Sequence, residues 1–246
     1  MIHISKADKR RKVSRGPFTS RFLPLGTTLE NSADHGIAQI GRLEHATLEG
    51  GALVPMHMHQ NEEILSYLRK GAMHHKDSAG NEIAIHKKHL MLMNAGSGIH
   101  HEEGVPEGDE TVEMLQIFIR PIADNLKPKV QFYEPKEAHS LNNWRLLAGH
   151  ERSEAPLLFR SELVFYDLHL KSGSAIETPN LNGLTGFLYL FSGKAEIEGH
   201  SEFIGEGDQI IIKDEQLTLK ANEDSDMVFF VLDEKADYSR NGLFAK

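Results

Sequence analysis

The chain has 246 residues, a formal net charge of −9 and no cysteine. This length suffices for one large all-β domain or two smaller ones, and the absence of cysteine excludes disulfides, thiolate metal sites and cysteine nucleophiles. The negative charge argues against a general attraction to nucleic acid or to anionic lipid.

The N-terminal residues lack the apolar core of a signal peptide, and eighteen consecutive apolar residues occur nowhere in the chain. We therefore expect a cytoplasmic protein without a membrane segment. Residues 6–15 form a local basic run. A solvated arm or the exposed face of a first strand is the favoured interpretation, and contact with phosphates or an acidic partner is the alternative.

Short strands separated by turn residues are predicted for the first half of the chain, after a loop at residues 23–29. Residues 77–81 favour a tight reversal. Strands this short, with turns this frequent, indicate an antiparallel barrel or sandwich and not βαβ units. The predicted strands cover residues 36–43, 46–52, 64–68, 72–76, 82–86, 90–93 and 112–119.

The second half repeats this order after a proline-interrupted, highly charged stretch at residues 120–161, which we interpret as a connector. The repetition predicts two copies of one small barrel. Residues 136–147 and the last dozen residues are weak helix candidates. Strands are predicted at residues 163–170, 187–191, 195–197, 209–213 and 227–232.

Two histidine-bearing runs lie between residues 51 and 103. Side chains two residues apart on a strand share a face, so His57 and His59 share one face, and His101 and Glu103 share another. Three imidazoles and a carboxylate suit a divalent transition metal with positions left open for substrate or dioxygen. His100 and Glu102 have the opposite parity and should point outward, unless a bulge exchanges them with their neighbours.

The first run resembles the first motif of the cupin superfamily, with Gly51 before the histidines and Gly71 after them. In this interpretation residues 57, 59, 61 and 63 alternate along one strand and face the interior of a barrel, so that Glu63 could reach the same ion. Residues 96–103 resemble the second motif, in which a glycine-bearing turn precedes a strand.

Four motifs in order narrow the resemblance to the pirin family of bicupins. The motifs are His57-Met58-His59 with Glu63, then His75 to Asn81, then Ala95 to Glu103, and then Leu115 to Pro121. The resemblance implies an all-β fold of two tandem cupin barrels, also called jelly rolls or double-stranded β-helices. It implies a metal-binding domain at residues 1–122. Residues 123–246 would then hold the connector and a degenerate cupin domain without metal ligands.

The resemblance also implies a site. By position, His57, His59, His101 and Glu103 would hold one divalent transition metal, with Fe(II) preferred and Ni, Cu, Zn, Mn or Co compatible. Catalytic roles are expected for Glu103 and Glu63. Glu63 could instead be a ligand, as in germin-type cupins, and Glu103 is preferred for that role. Other histidines are expected to be packed or exposed, and these are His74, His75, His86, His89 and His169.

Relatives in this family include quercetin-degrading dioxygenases and a nuclear, iron-dependent transcriptional co-regulator. The implied function is a metal-dependent dioxygenase whose partners are a small aromatic, flavonol-like substrate and dioxygen. The alternative is a non-enzymatic, metal- or redox-dependent regulatory protein with a protein partner, and a third hypothesis is a structural bicupin with an incidental metal. Met56, Met58 and Gln60 depart from the prolines and arginine common at these positions, which leaves the substrate open.

Overall fold

The structure, a computed structural model, describes residues 1–22, 24, 26 and 34–246. The predicted loop at residues 23–29 therefore lies, apart from Pro24 and Gly26, outside the described residues. The chain forms two compact units. We call residues 10–138, 159–161 and 236–246 the histidine unit, and residues 1–9, 139–158 and 162–235 the apolar unit.

The described residues are almost entirely strands and turns. The first half contains β1 (Ile2–Ser5), a 3-10 turn (Ala7–Lys9), β2 (Arg11–Arg15), β3 (Phe18–Phe22), β4 (Ile40–Leu48), β5 (Leu53–His59), β6 (Glu63–Lys70), β7 (Ala72–Asp77), β8 (Glu82–His86), β9 (Leu90–Asn94), β10 (Ile99–Gly104), β11 (Val112–Ile119) and β12 (Lys129–Tyr133). The second half contains β13 (Arg145–His150), β14 (Leu157–Phe159), β15 (Leu163–Leu170), β16 (Ala175–Glu177), β17 (Thr185–Ser192), β18 (Lys194–Ile197), β19 (Phe203–Gly205), β20 (Gln209–Lys213), β21 (Thr218–Ala221) and β22 (Ser225–Leu232).

Each unit contains one long and one short antiparallel sheet. The strand order is the same in the two short sheets and in the four central strands of the long sheets, whereas the outer strands differ, because β1 from the start of the chain lies where the other long sheet has β12. The long sheets run β12-β9-β6-β11-β4-β3-β2 and β1-β20-β17-β22-β15-β13-β14. The short sheets run β5-β10-β7-β8 and β16-β21-β18-β19. Position by position, β5 corresponds to β16 and β10 to β21. The predicted repeat of an all-β unit is therefore confirmed.

Glycine turns set the register of the short sheet in the histidine unit. Gly51 and Gly71 adopt positive φ of 85° and 69°, which is left-handed backbone that side chains with a Cβ rarely adopt. Pro55 lies at a β-bulge, because His101 pairs with His57 while Glu103 pairs with Val54. Proline cannot donate a ladder hydrogen bond, so a bulge is a position that tolerates it.

Two expectations about irregular segments are wrong. The stretch at residues 120–161 is not a bare connector, because it contributes β12, β13 and β14. The two weak helix candidates, at residues 136–147 and 235–246, contain no helix. The last residues of the first candidate belong instead to β13, which pairs with β15. The basic run includes β2, whose residues are all exposed.

The apolar unit has a continuous hydrophobic interior, to which Leu188, Ile210, Leu219 and Phe229 belong. β16 and β21, which correspond to β5 and β10, carry no histidine and pair through Ala175 with Lys220, Ile176 with Leu219 and Glu177 with Thr218. No helix among the described residues is long and apolar enough to span a membrane.

Candidate metal centre

Adjacent antiparallel strands bring the predicted histidines together. β5 carries His57 and His59, and β10 carries His101, which lies directly opposite His57 in the register. On β10 burial alternates as predicted, with Ile99, His101 and Glu103 buried and His100 exposed. The pairing of the two strands therefore converts a sequence separation of 44 residues into side-chain contact.

The three imidazoles converge through their Nε2 atoms. His57 Nε2 lies 3.0 Å from His59 Nε2 and 3.1 Å from His101 Nε2. The ring centroids are 4.5 to 4.8 Å apart. His59 and His101 are buried and His57 is half-buried. These atoms are grouped closely enough to hold a single metal ion.

Two of the rings are oriented by hydrogen bonds from the nitrogen on their far side. His57 Nδ1 donates to the Pro55 carbonyl oxygen at 2.9 Å, so its Nε2 carries the lone pair. His59 Nδ1 lies 2.6 Å from Oε1 of the fully buried Glu62 and donates to that carboxylate. Such outer partners fix the tautomer and the ring orientation of metal-binding histidines.

The site favours neutral imidazoles. Burial, followed by the charges of His59, His57 and His75, lowers the pKa of His101 to about 2. Burial also lowers the pKa of His57, against the opposing effect of its hydrogen bond to Pro55. Since only a neutral imidazole offers a nitrogen lone pair, both histidines remain available as ligands near pH 7.

Glu103 lies on the Nδ1 side of His101. Its Oε1 is 3.8 Å from that nitrogen, and with His75 and His101 it forms a second group of potential ligands. Gln116 Nε2 donates to Oε2 at 2.9 Å, whereas Oε1 is buried without a hydrogen-bond partner among the described residues. Burial raises the pKa of this carboxyl group. An unsatisfied buried oxygen is costly, which favours a ligand or proton at this atom.

Glu63 is placed differently from the expectation. β5 ends at His59, Asn61 adopts a positive φ of 53°, and a new strand begins at Glu63 in the long sheet. The expectation that residues 57, 59, 61 and 63 alternate along one strand is therefore wrong. The Glu63 carboxylate accepts hydrogen bonds from the Arg160 backbone N–H, at 3.0 and 3.1 Å, and from Asn94 Nδ2. It belongs to none of the potential metal-ligating groups found among the described residues.

Three residues that the sequence did not predict as part of the site, Glu62, His75 and Asp77, lie beside the predicted ligands. Glu62 holds His59, and His75, expected to be a bystander, lies 3.5 Å from His101 through the two Nδ1 atoms. His75 Nε2 also pairs with Asp77 Oδ2 at 2.9 Å. Burial alone would raise the pKa of Asp77, but hydrogen bonds from His75 and Asn81 lower it overall. The motif at residues 75–81 is the sequence signal that could have identified His75, because it places this histidine two residues before the Asp77 carboxylate.

A cavity of about 460 Å³ opens onto His57, His59 and Glu103. Its walls are largely apolar, with Phe18, Phe118 and Phe244 among the lining residues, and Arg15 and Arg42 are its cationic residues. A mostly apolar cleft with a few convergent polar groups is the usual form of a small-molecule site.

A third group of potential ligands lies in the apolar unit and consists of His139, His169 and Asp226. His169 Nδ1 pairs with Asp226 Oδ1 at 2.8 Å, and His139 is exposed. This surface group does not correspond to the strand positions of His57, His59 and His101.

The duplicated pair of long and short sheets, with a histidine cluster in one copy, defines a bicupin. Solved structures agree with this fold. The Escherichia coli bacterial pirin YhhW in complex with nickel(II) superimposes with a TM-score of 0.82 at 22% identity, covering 95% of this chain and 99% of that chain. A mutant of Bacillus subtilis oxalate decarboxylase OxdC gives a TM-score of 0.60 at 13% identity, covering 96% and 78%.

Sequence comparisons identify the family within this class. The pirin family model matches residues 24–119. Protein ZMO1337 of Zymomonas mobilis is 31% identical over 72% of this chain and 74% of its own length. Quercetin 2,3-dioxygenase of Escherichia coli O157:H7 is 24% identical over 94% of this chain and 99% of its own length. The chain belongs to the pirin family, as its four motifs predicted.

Proposed function

We propose that this protein is a metal-dependent dioxygenase that acts on quercetin or a related flavonol. In this proposal His57, His59, His101 and Glu103 hold one divalent transition metal. The observation that carries the proposal is the convergence of three imidazole Nε2 atoms beside a mostly apolar cavity. The quercetin 2,3-dioxygenase name of a relative that this chain matches over almost its whole length supports the substrate class.

The three imidazole nitrogens fit such a metal. Two nitrogens that lie about 2.1 Å from one ion, at right angles to each other, are about 3.0 Å apart. The spacings of 3.0 and 3.1 Å between the Nε2 atoms match this value. Glu103 lines the same cavity, on the Nδ1 side of His101, and its Oε1 has no hydrogen-bond partner among the described residues. The metal, once bound, would act as a Lewis acid toward the hydroxyl and carbonyl oxygens of the flavonol.

The protein's own residues would then orient the substrate and accept its proton. The apolar cavity walls would exclude water and receive the planar rings of a flavonol. Glu103 would accept the proton of the 3-hydroxyl group, because it lines the cavity and its Oε1 has no hydrogen-bond partner among the described residues. Overall, one flavonol and one dioxygen would give the ring-cleaved ester and one carbon monoxide. The catalytic role predicted for Glu63 has no comparable geometric support.

Turnover measurements test this proposal. Metal-free protein is reconstituted separately with Fe(II), Ni(II), Mn(II) and Co(II), and oxygen uptake and carbon monoxide release are followed with quercetin. We expect equal molar amounts of both gases with at least one metal, and loss of turnover in His101→Ala. Metal-loaded protein that leaves quercetin and oxygen unchanged would overturn the proposed activity. That result would favour the alternative, a metal-dependent binding function without catalysis.

A further inference from the structure

The segment at residues 242–246 is attached to the histidine cluster through one buried carboxylate. The backbone N–H groups of Phe244 and Ala245 donate to Glu62 Oε2 at 2.7 and 2.8 Å. The other oxygen of Glu62 accepts the hydrogen bond from His59 Nδ1. Glu62 is fully buried. A single side chain therefore fixes both a predicted metal ligand and the backbone of a segment distant in sequence.

A buried arginine holds the same segment from a second direction. Arg120 is fully buried, and its Nε donates to the Ala245 carbonyl at 3.0 Å while its Nη1 donates to the Ala38 carbonyl at 2.8 Å. Ala245 is also fully buried and packs with Ile64 and other apolar side chains. The segment therefore has a defined backbone position in the histidine unit.

This anchoring presents the Phe244 ring to the cavity. The ring lines the cavity and remains 42% exposed. Its centroid lies 4.9 Å from that of His59 and 5.6 Å from that of Phe118, on which it stacks at an interplanar angle of 28°. Phe244 and Phe118 thus form an aromatic wall next to the histidine cluster. A planar aromatic ligand that reaches the imidazoles could stack against this wall.

We propose that Phe244 is a specificity-determining residue that selects planar aromatic ligands for the site, and that Glu62 is its positioning residue. The inference rests on the proposed function in one respect, since it assumes that a metal at the histidines receives the ligand. It goes beyond that function by assigning the aromatic preference to a residue outside the four family motifs. Glu62 acts through the Phe244 backbone and not on the ligand itself.

Two chelating probes of different shape test the inference without turnover. Nickel-loaded protein is titrated with 4-nitrocatechol, which is planar and aromatic, and with acetohydroxamate, which has no ring. We expect Phe244→Ala to lower the affinity for 4-nitrocatechol roughly 3- to 10-fold, the amount expected for one aromatic pair. The affinity for acetohydroxamate should fall by less than roughly 2-fold. Phe244→Tyr retains the ring and should retain the affinity.

Leu243→Ala is the matched control, because Leu243 is adjacent, similarly exposed at 44%, and does not line the cavity. It should leave both affinities unchanged. Glu62→Gln has fewer acceptor positions for the three N–H groups that Glu62 now binds. It should therefore lower the ratio of aromatic to aliphatic affinity in the same direction as Phe244→Ala. That ratio would not change if Glu62 merely stabilised the fold or the metal.

The outcomes separate this inference from the proposed function. Equal losses for both probes in Phe244→Ala, or an unchanged ratio in Glu62→Gln, overturn the inference even if quercetin is oxidised. Phe244-dependent binding of 4-nitrocatechol without flavonol turnover supports the inference and overturns the proposed activity. Wild-type protein that binds neither nickel nor either probe overturns both.

Discussion

At the scale of single residues, the site depends on a small number of buried ionisable groups with defined partners. His57 and His59 are each fixed through Nδ1, which leaves Nε2 free for a ligand. Of the two oxygens of Glu103, Oε2 accepts a hydrogen bond from Gln116, and Oε1 accepts none from the residues that the structure describes. Burying a carboxylate with an unpaired oxygen costs free energy, so this arrangement is typical of a site prepared for a ligand and not of one optimised for stability.

Glu103→Gln tests this trade-off. Glutamine has a similar size and can keep the contact with Gln116, but it has no negative charge to offer a metal. We expect nickel affinity to fall by roughly 10-fold or more, because a ligand or near neighbour of the metal is lost. We also expect the denaturation midpoint of the metal-free variant to equal or exceed that of the wild type. Titration calorimetry and urea denaturation measure the two effects.

The control for this substitution is Glu102→Gln on the same strand, where the side chain is half-buried and has the opposite parity. Glu102→Gln should change neither the nickel affinity nor the denaturation midpoint of the metal-free protein. An unaltered nickel affinity in Glu103→Gln would show that Glu103 does not contribute to metal binding.

Glu63→Gln distinguishes a structural from a catalytic carboxylate. The Glu63 carboxylate accepts the Arg160 backbone N–H and the Asn94 amide, so replacing one oxygen with an NH₂ group places two donors together. We expect a loss of about 1–3 kcal/mol in the free energy of unfolding. Nickel affinity should change by less than roughly 3-fold. Normal stability with impaired turnover would contradict this structural role and restore the catalytic prediction.

At the scale of elements, the site depends on the turn that precedes β10. Gly96 adopts a positive φ of 52°, and its carbonyl accepts the Asn61 backbone N–H at 2.8 Å. A Cβ at Gly96 would lie 2.0 Å from the Leu126 carbonyl oxygen, which is backbone and cannot move as a side chain does. The turn thus joins the entry of β10 to the segment that follows β5.

Gly96→Ala should therefore disturb both stability and the position of His101. We expect a loss of more than about 1 kcal/mol in the free energy of unfolding, from the left-handed backbone together with the steric clash. Nickel affinity should fall with it. Gly16→Ala is the matched control, because Gly16 has a similar φ of 58° but nothing within 4 Å of its Cβ position. Equal losses in the two variants would show that the clash at Leu126 is absent.

Local patterns predicted the elements of this site but not all of its contacts. Two-residue periodicity correctly placed His101 and Glu103 on the buried face of β10 and His100 on the exposed face. The same periodicity was wrong beyond His59, because the positive φ of Asn61 ends the alternation. Glu62 and Phe244 are 182 residues apart, and no short-range pattern relates them. Their contact depends on tertiary structure alone.

At the scale of the whole molecule, the two units share the order of their central strands but have different interiors. Among the described residues, buried ionisable side chains are concentrated in the histidine unit, whereas the apolar unit has Asp167 and Asp208. Aliphatic and aromatic residues fill the interior of the apolar unit. The repeat was predictable from the order of strands and turns, since each turn is encoded locally. The strands within residues 120–161 were not, because their pairing is long-range.

We propose that His57, His59 and His101 form one metal site. The most direct test of this proposal is calorimetric titration of metal-free protein with Ni(II), in the wild type, His101→Ala and His139→Ala. The His139→Ala variant disrupts the surface group of His139, His169 and Asp226, so that this group cannot account for a bound ion. We predict one tightly bound ion per chain in the wild type and in His139→Ala, and binding more than roughly 100-fold weaker in His101→Ala. A tightly bound ion that persists in His101→Ala, or disappears in His139→Ala, would contradict the account.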